Sequence, residues 1–138
     1  MLRKPNSVLL VEDDEIDVMN IQRAFKKNNI TNNLQVASNG LEALSILRKN
    51  GAKAFPDLIL LDLNMPKMGG LEFLDELRKD QNLRSLMVII LTTSSDERDI
   101  KMAYKYNVAG YIIKPVDFNA LVQAIKVLDN YLSLCQWL

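Results

Sequence analysis

The chain alternates between short runs of strand-forming apolar residues and longer segments in which apolar residues recur at helical spacing. Four runs, at residues 8–11, 58–61, 87–91 and 111–113, show no alternation of apolar with polar residues. Continuous apolar runs of this length are typical of parallel strands that helices cover on both faces. A fifth run, at residues 34–37, is mixed and predicts a strand at an edge of the sheet.

Segments with helical periodicity separate these runs. They cover about residues 14–27, 40–50, 70–79 and 96–106, and a fifth begins after Asp117, which is a suitable N-cap. Five repeats of strand and helix, joined by right-handed crossovers, predict a parallel sheet with helices on both faces. The predicted fold class is therefore α/β, with a doubly wound five-stranded sheet.

The last predicted helix carries more apolar surface than one sheet can cover. One apolar stripe on the helical wheel should face the sheet, and it consists of Phe118, Leu121, Val122, Ile125, Leu128 and Leu132. A second stripe lies beside it and consists of Ala120, Ala124, Val127, Tyr131 and Leu134. The second stripe either packs against the fourth helix or forms a homodimer interface that also buries the apolar tail at residues 134–138.

Length and composition narrow the class of protein. The 138 residues suit a single domain, with a core at about residues 6–130 and a helical extension and tail at about 131–138. The 17 basic and 17 acidic residues balance, so nothing predicts nucleic-acid binding. Cys135 has no partner for a disulfide, and the sequence shows no signal peptide and no apolar run of the roughly 18 residues that a membrane span needs. We expect a soluble, cytoplasmic protein.

Acidic residues follow two of the predicted strands. Glu12, Asp13 and Asp14 come after the first strand, and Asp62 comes after the third. The carboxyl ends of parallel strands share one edge of the sheet, where such sheets bind ligands. Mutual repulsion of converging carboxylates predicts a bound dication, and Mg²⁺ prefers oxygen ligands. Zinc is a poor candidate because the chain has no histidine. For Asp13 or Asp14 the alternative role is to cap the first helix.

Two further polar residues follow predicted strands at the same edge. Thr92 comes after the run at residues 87–91, and Lys114 after the run at 111–113. A phosphoryl group on Asp62 would be stabilised by a metal, an ammonium group and a hydroxyl group, and these residues supply the last two. Singly, Thr92 would be an ordinary strand residue and Lys114 a solvated lysine, so the prediction depends on their joint placement.

Five motifs in this order resemble the signature set of two-component response-regulator receiver domains, over essentially the whole chain. They are Val11-Glu12-Asp13-Asp14, Leu-Asp-Leu-Asn-Met-Pro at 61–66, Gly70, Leu-Thr-Thr-Ser at 91–94 and Gly-Tyr-Ile-Ile-Lys-Pro at 110–115. The resemblance implies a flavodoxin-like (βα)5 fold with strand order 2-1-3-4-5.

The resemblance also implies a metal site and a phosphoacceptor. Asp62 would accept the phosphoryl group. Asp13, Asp62 and the backbone carbonyl of Asn64 would bind Mg²⁺, or Mn²⁺ in its place, and Glu12 would act through water. A shift of one residue would put Asp13 and Asp14 at the metal instead, and we prefer Glu12 and Asp13 because many family members carry Glu-Asp there.

Further roles follow from the same resemblance. Thr92 and Lys114 would contact the phosphoryl group. Tyr111 would form the switch together with Thr92, because it matches an aromatic residue that turns inward when that threonine is drawn to the phosphate. The bond between Lys114 and Pro115 would be a cis peptide bond.

A receiver of this kind would be a stand-alone response regulator. A sensor histidine kinase would supply the phosphoryl group, and the protein would catalyse only its own phosphorylation and dephosphorylation. We expect output through protein contacts, since no linker or DNA-binding sequence follows the fifth predicted helix. The Leu-Thr-Thr-Ser segment and the apolar tail with Trp137 are similar to the regulators paired with bacterial phytochromes, which tend to dimerise.

Other functions compete with this one. A phosphorelay intermediate, a chemotaxis-like regulator and an interaction module that works without phosphorylation would carry the same motifs. A Mg²⁺-dependent phosphatase of the haloacid dehalogenase type needs a second aspartate two residues after its nucleophile, and that position is Asn64 here. A flavodoxin-like cofactor module is disfavoured because Glu12, Asp13 and Asp14 would repel a flavin phosphate.

Overall fold

The computed structural model describes residues 7–51 and 55–137, which form one parallel sheet with helices on both faces. The strands are β1 (Ser7–Val11), β2 (Asn33–Ala37), β3 (Leu58–Leu61), β4 (Val88–Thr92) and β5 (Gly110–Ile113). The helices are α1 (Glu15–Lys27), α2 (Gly40–Asn50), α3 (Gly70–Lys79), α4 (Glu97–Lys105) and α5 (Phe118–Leu134). The strand order β2-β1-β3-β4-β5 confirms the predicted fold.

The sheet separates two hydrophobic cores, because successive side chains of a strand point to opposite faces. In β1, Leu9 and Val11 belong to the core covered by α2, α3 and α4, whereas Val8 and Leu10 belong to the core covered by α1 and α5. The strands β3 and β4 are fully buried, which explains why both are apolar except for Thr92 at the end of β4. In β2 exposed and partly buried residues alternate, which confirms it as an edge strand.

Side chains at the helix N-termini determine where several helices begin. Asp14, Asn39, Asp96 and Asp117 each accept a hydrogen bond from a backbone N–H of the helix that follows. These bonds satisfy amide groups that have no partner inside the helix. The expected capping by Asp117 is confirmed. No helix among the described residues is long and apolar enough to cross a membrane.

The two stripes of α5 meet different surroundings. The first stripe packs on the sheet, as predicted, and also on α1, and all of its members except the partly buried Phe118 are buried. The second stripe is not covered by α4, so that alternative is wrong: Val127, Tyr131 and Leu134 are 66%, 54% and 79% exposed. The sheet and α1 cover only part of the circumference of α5, so the second stripe stays exposed.

The tail folds back on the chain itself. The indole Nε1 of Trp137 donates a hydrogen bond to the carbonyl of Leu132 at 2.9 Å, and the ring packs against the core between the sheet, α1 and α5. Part of the predicted tail interface is therefore already buried within one chain. Leu138, which belonged to that prediction, lies outside the described residues.

Candidate functional site

The carboxyl ends of β1, β3, β4 and β5 bring four groups of polar residues together at one edge of the sheet. The backbone N–H of Glu12 donates to the carbonyl of Ala37, and that of Asp62 donates to the carbonyl of Val11. These bonds continue the ladders one residue beyond the strands and hold both acidic residues at the edge. The predicted convergence is confirmed, although Thr92 is the last residue of β4 rather than the residue after it.

Three carboxylates form a cluster there. One oxygen each of Glu12, Asp13 and Asp62 lies within 4.8 Å of the other two. Glu12 and Asp62 are only 2% and 6% exposed, whereas Asp13 is exposed. Three oxygen donors at this spacing, open to water on one side, suit a hard dication that keeps part of its hydration shell. The donor set therefore fits Mg²⁺.

Asp14 has a different role from its neighbours. Its Oδ1 accepts hydrogen bonds from the backbone N–H groups of Ile16 at 2.9 Å and Asp17 at 3.2 Å. The carboxylate is thus engaged as the N-cap of α1 and is not part of the acidic cluster. Between the two registers that the sequence left open, the geometry favours Glu12 and Asp13 at the metal.

The electrostatic state of the cluster reflects its burial. Burial raises the pKa of Glu12 to about 7, with a smaller contribution from the negative charge of Asp62, even though a hydrogen bond from Lys114 acts in the opposite direction. Burial and the neighbouring negative charge both disfavour the ionised form of Glu12, and a bound cation would relieve this repulsion.

Lys114 brings a positive charge into contact with this cluster. Its Nζ contacts the Glu12 carboxylate directly, lies 2.9 Å from Oδ2 of Asp17 and lies 3.7 Å from Oδ2 of Asp62. The side chain is only 10% exposed. Burial alone would lower the pKa of Lys114, but its hydrogen bonds to Glu12 and Asp17 and the charge of Asp62 raise it above the usual value.

Asp17 is a member of the site that sequence reasoning missed. It lies in the first turn of α1, where an acidic residue is ordinarily explained by the helix dipole. The only signal in the sequence was its position one turn beyond the acidic motif, and that signal does not distinguish a dipole partner from an ion-pair partner of Lys114.

Thr92 and Tyr111 connect the edge of the sheet with the loop between β4 and α4. The Thr92 hydroxyl is fully buried and donates to Oδ1 of Asp62 at 2.6 Å. The half-buried Tyr111 donates its phenol O–H to the backbone carbonyl of Ser94 at 2.8 Å, and the hydroxyl of Ser94 donates to Asp99 at 2.6 Å. Tyr111 therefore links β5 to the loop after β4, and Thr92 contacts the predicted phosphoacceptor.

The loop after β3 holds Asp62 against the start of α3. The N–H of Gly70 donates to the carbonyl of Leu63 at 2.9 Å, and Asn64 lies in the loop between them. One expectation at the edge is wrong: the bond between Lys114 and Pro115 is trans, since the described residues contain no cis peptide bond. The trans form is intrinsically the more stable one before proline, by about 0.5–1 kcal/mol.

Comparison with known families agrees with this geometry. The family model of the response regulator receiver domain matches residues 8–126, so the chain belongs to that family. It is a receiver-domain response regulator, with an acidic cluster suited to Mg²⁺ and to an aspartate that accepts a phosphoryl group.

Two regulatory proteins are similar in sequence over most of the chain. The chain is 36% identical to the probable methanogenesis regulatory protein FilR2 of Methanothrix harundinacea over 129 residues, which cover 92% of this chain and 83% of that protein. It is 33% identical to the response regulator Rcp1 of Synechocystis sp. over 130 residues, which cover 92% of this chain and 88% of that protein.

Two solved structures are similar over nearly the whole chain. The phosphorylated cyanobacterial phytochrome response regulator RcpA has a TM-score of 0.83 and 37% identity, with 92% of this chain and 93% of that chain covered. The Mn²⁺-bound form of Rcp1 has a TM-score of 0.83 and 32% identity, with 94% and 96% covered.

Proposed function

We propose that this protein is a stand-alone response regulator, with a single receiver domain, that accepts a phosphoryl group on Asp62 from a histidine kinase in a Mg²⁺-dependent reaction. The observation that carries the proposal is the setting of Asp62. Its carboxylate accepts a hydrogen bond from the Thr92 hydroxyl at 2.6 Å and lies 3.7 Å from the ammonium of Lys114. It also belongs to the acidic cluster with Glu12 and Asp13.

In the proposed reaction Asp62 attacks the phosphorus of a phosphohistidine. A bond forms between a carboxylate oxygen and phosphorus, the phosphorus–nitrogen bond breaks, and the electron pair stays on the leaving imidazole, which takes up a proton. Lys114 offsets the charge of the transferred group, and Thr92 supplies a hydroxyl donor. The protein then catalyses its own modification and nothing further.

Asp13, Asp62, the backbone carbonyl of Asn64 and, through water, Glu12 are the proposed metal ligands. When bound, Mg²⁺ would neutralise charge shared between the carboxylates and the transferred group. The Mn²⁺-bound form of Rcp1 is among the similar structures, which supports Mn²⁺ as a substitute. Glu12 would assist in its ionised form, which burial disfavours by raising the pKa of the carboxyl to about 7.

Signalling is proposed to pass through Thr92 and Tyr111. A phosphoryl group on Asp62 would compete for the Thr92 hydroxyl, and Tyr111 is anchored to the loop that follows Thr92 through the carbonyl of Ser94. Phosphorylation would therefore change the population of loop and α4 arrangements that a partner contacts.

A phytochrome-type kinase is the proposed phosphoryl donor, because RcpA, a phytochrome response regulator, is among the similar structures. The proposed location is the cytoplasm, where such a kinase would present its phosphohistidine. A phosphorelay intermediate or a module that works without phosphorylation remains the alternative, and nothing in the site favours either over the main proposal.

A homodimer through α5 is part of the proposal. Val127, Tyr131 and Leu134 form an exposed apolar stripe on one face of this helix, and a two-fold axis would let the same stripe cover itself. Sedimentation of the wild type beside Tyr131→Asp tests this, with Lys126→Asp on the polar side of α5 as the control. Monomers in all three samples would contradict the dimer.

The test of the main proposal is intact-protein mass spectrometry after incubation with acetyl phosphate, with and without Mg²⁺. The expected result is a Mg²⁺-dependent, base-labile gain of one phosphoryl group in the wild type. Asp62→Asn should show no gain, and Asp129→Asn, in the C-terminal half of α5, should behave as the wild type. A gain of equal rate in Asp62→Asn would contradict the assignment, and steady phosphate release from unrelated monoesters would point to a phosphatase.

A further inference from the structure

Asp17 holds the ammonium group that the proposed reaction needs. It lies in the first turn of α1, and its Oδ2 reaches across to Nζ of Lys114 at 2.9 Å. The same Nζ is 3.7 Å from Oδ2 of Asp62. The ammonium therefore lies closer to Asp17 than to the proposed phosphoacceptor.

The pair borders a cavity of the protein. Asp17 and Lys114 line a cavity of about 200 Å³ between α1 and the loop that joins β5 to α5, together with Asn20, Thr93 and Val116. The Asp17 side chain is 36% exposed, whereas that of Lys114 is 10% exposed. Asp17 thus forms the outer partner of the ammonium, and Glu12 forms the inner one.

An ammonium group has three N–H donors. In this structure Nζ of Lys114 bonds to Glu12 and Asp17 and contacts Asp62 at longer range. A phosphoryl group on Asp62 would need one of these donors for its own oxygens. Asp17 adds no ligand to the acidic cluster, so its contact is the one that draws the ammonium outward.

We propose, on the basis of the phosphoacceptor function above, that Asp17 is a positioning residue that restrains Lys114 in the unphosphorylated protein and so slows phosphoryl uptake by Asp62. The restraint is electrostatic, because an ionised carboxylate competes with the incoming phosphoryl group for the same ammonium. The competition is moderate, since Asp17 is partly solvated and its attraction is screened by water.

The test is the rate of phosphoryl uptake from acetyl phosphate in the presence of Mg²⁺, measured by intact mass. Asp17→Asn keeps the shape of the side chain and removes its charge, and the expected result is a rise of about three- to fivefold in the uptake rate, the range set by a partly exposed ion pair. If Asp17 had only a structural role, the uptake rate should fall in Asp17→Asn, because loosening α1 would disturb the positions of the reacting groups.

Glu15→Gln is the matched control. Glu15 lies in the same turn of α1, carries the same charge and is exposed, but Lys114 contacts Asp17 and not Glu15. Like Asp17→Asn, Glu15→Gln removes one negative charge that interacts with the dipole of α1 and that repels the anionic acetyl phosphate. We expect less than a 1.5-fold change in its uptake rate. An equal rise in both variants, or an unchanged or lower rate in Asp17→Asn, would overturn the proposal.

A second comparison asks whether Asp17 acts through Lys114. In a Lys114→Met background, Asp17→Asn should no longer raise the residual uptake, because the group it restrains is gone. A rise of the same size there would overturn the proposal. A wild type that takes up no phosphoryl group at all would instead contradict the function on which the proposal rests.

Discussion

Gly70 offers a direct test of how the phosphoacceptor is held in place. It is the first residue of α3 and packs against the loop that follows β3. A Cβ atom at this position would lie 2.7 Å from Cα of Leu63 and closer still to the carbonyl oxygen of Asp62, whereas real Cβ contacts essentially never fall below 3.0 Å. Both atoms belong to the backbone, so they cannot move aside by changing a rotamer.

The magnitude for Gly70→Ala follows from these contacts. Overpacking in a well-packed core costs about 1–3 kcal/mol of folding stability. Because the new Cβ would meet backbone atoms that cannot change rotamer, we expect a cost at the upper end, about 3 kcal/mol. Replacing glycine by alanine in a helix returns about 0.5–1 kcal/mol. The net expectation is a loss of about 2 kcal/mol, which is roughly a 30-fold change in the unfolding equilibrium.

Function should suffer along with stability. A shift of the Asp62 backbone would move its carboxylate away from the Thr92 hydroxyl, which it now meets at 2.6 Å. Small displacements of a reacting group are costly, up to about 100-fold in rate for 1 Å. We therefore expect phosphoryl uptake at least about tenfold slower than in the wild type.

Two measurements check this prediction: urea unfolding and the uptake rate by intact mass, both at 25 °C. Gly110→Ala is the control, because the nearest atom to a Cβ there is Cγ2 of Ile89 at 4.0 Å, and its stability should stay within about 0.5 kcal/mol of the wild type. If Gly70→Ala unfolds at the wild-type urea concentration and takes up phosphoryl groups at the wild-type rate, the packing argument is refuted.

Three further outcomes are expected. Burial, helped by the charge of Asp62, raises the pKa of Glu12 from 4.5 to about 7, so the unfolded chain releases this proton more readily and the metal-free protein loses stability as the pH rises through that range. Urea unfolding at pH 5 and pH 8 without divalent ions should show that Glu12→Gln removes on the order of 2 kcal/mol of this loss. Arg78 donates hydrogen bonds to four backbone carbonyls in the segments that follow α3 and α4. Arg78→Ala should therefore lower the free energy of unfolding by about 2–3 kcal/mol, whereas Arg48→Ala, at an exposed position, should lower it by less than about 1 kcal/mol. Equal losses in the two variants would contradict this. Tyr111→Phe removes the bond to the loop after β4 and should cost about 1 kcal/mol in urea unfolding, and no loss would show that water replaces that bond.

Local patterns in the sequence were sufficient to predict most of the fold. Uninterrupted apolar runs predicted β3 and β4 as central strands, and the mixed run of β2 predicted an edge, because strands buried on both faces favour apolar residues at successive positions. The capping aspartate of α5 was also visible, since an N-cap depends on residues only three positions apart. The position of polar residues after strands predicted the edge where they meet.

The sequence also determined which residue types the site contains. Glu12, Asp13, Asp62, Thr92 and Lys114 were predicted together, because parallel strands bring their carboxyl ends to one edge whatever the details of packing. Their individual roles as ligands or phosphoryl contacts stay predictions. The geometry adds that Thr92 and Lys114 both contact Asp62.

Only the tertiary structure decided the remaining points. Asp17 and Lys114 are 97 positions apart, and no local pattern shows that α1 directs this carboxylate toward the end of β5. Because α5 packs on α1, its second apolar stripe is exposed, although periodicity alone could have placed that stripe against α4. Trp137 packs against the core between the sheet, α1 and α5 of the same chain. Periodicity shows which side of an element is apolar, whereas the identity of the neighbour depends on how all elements fill space together.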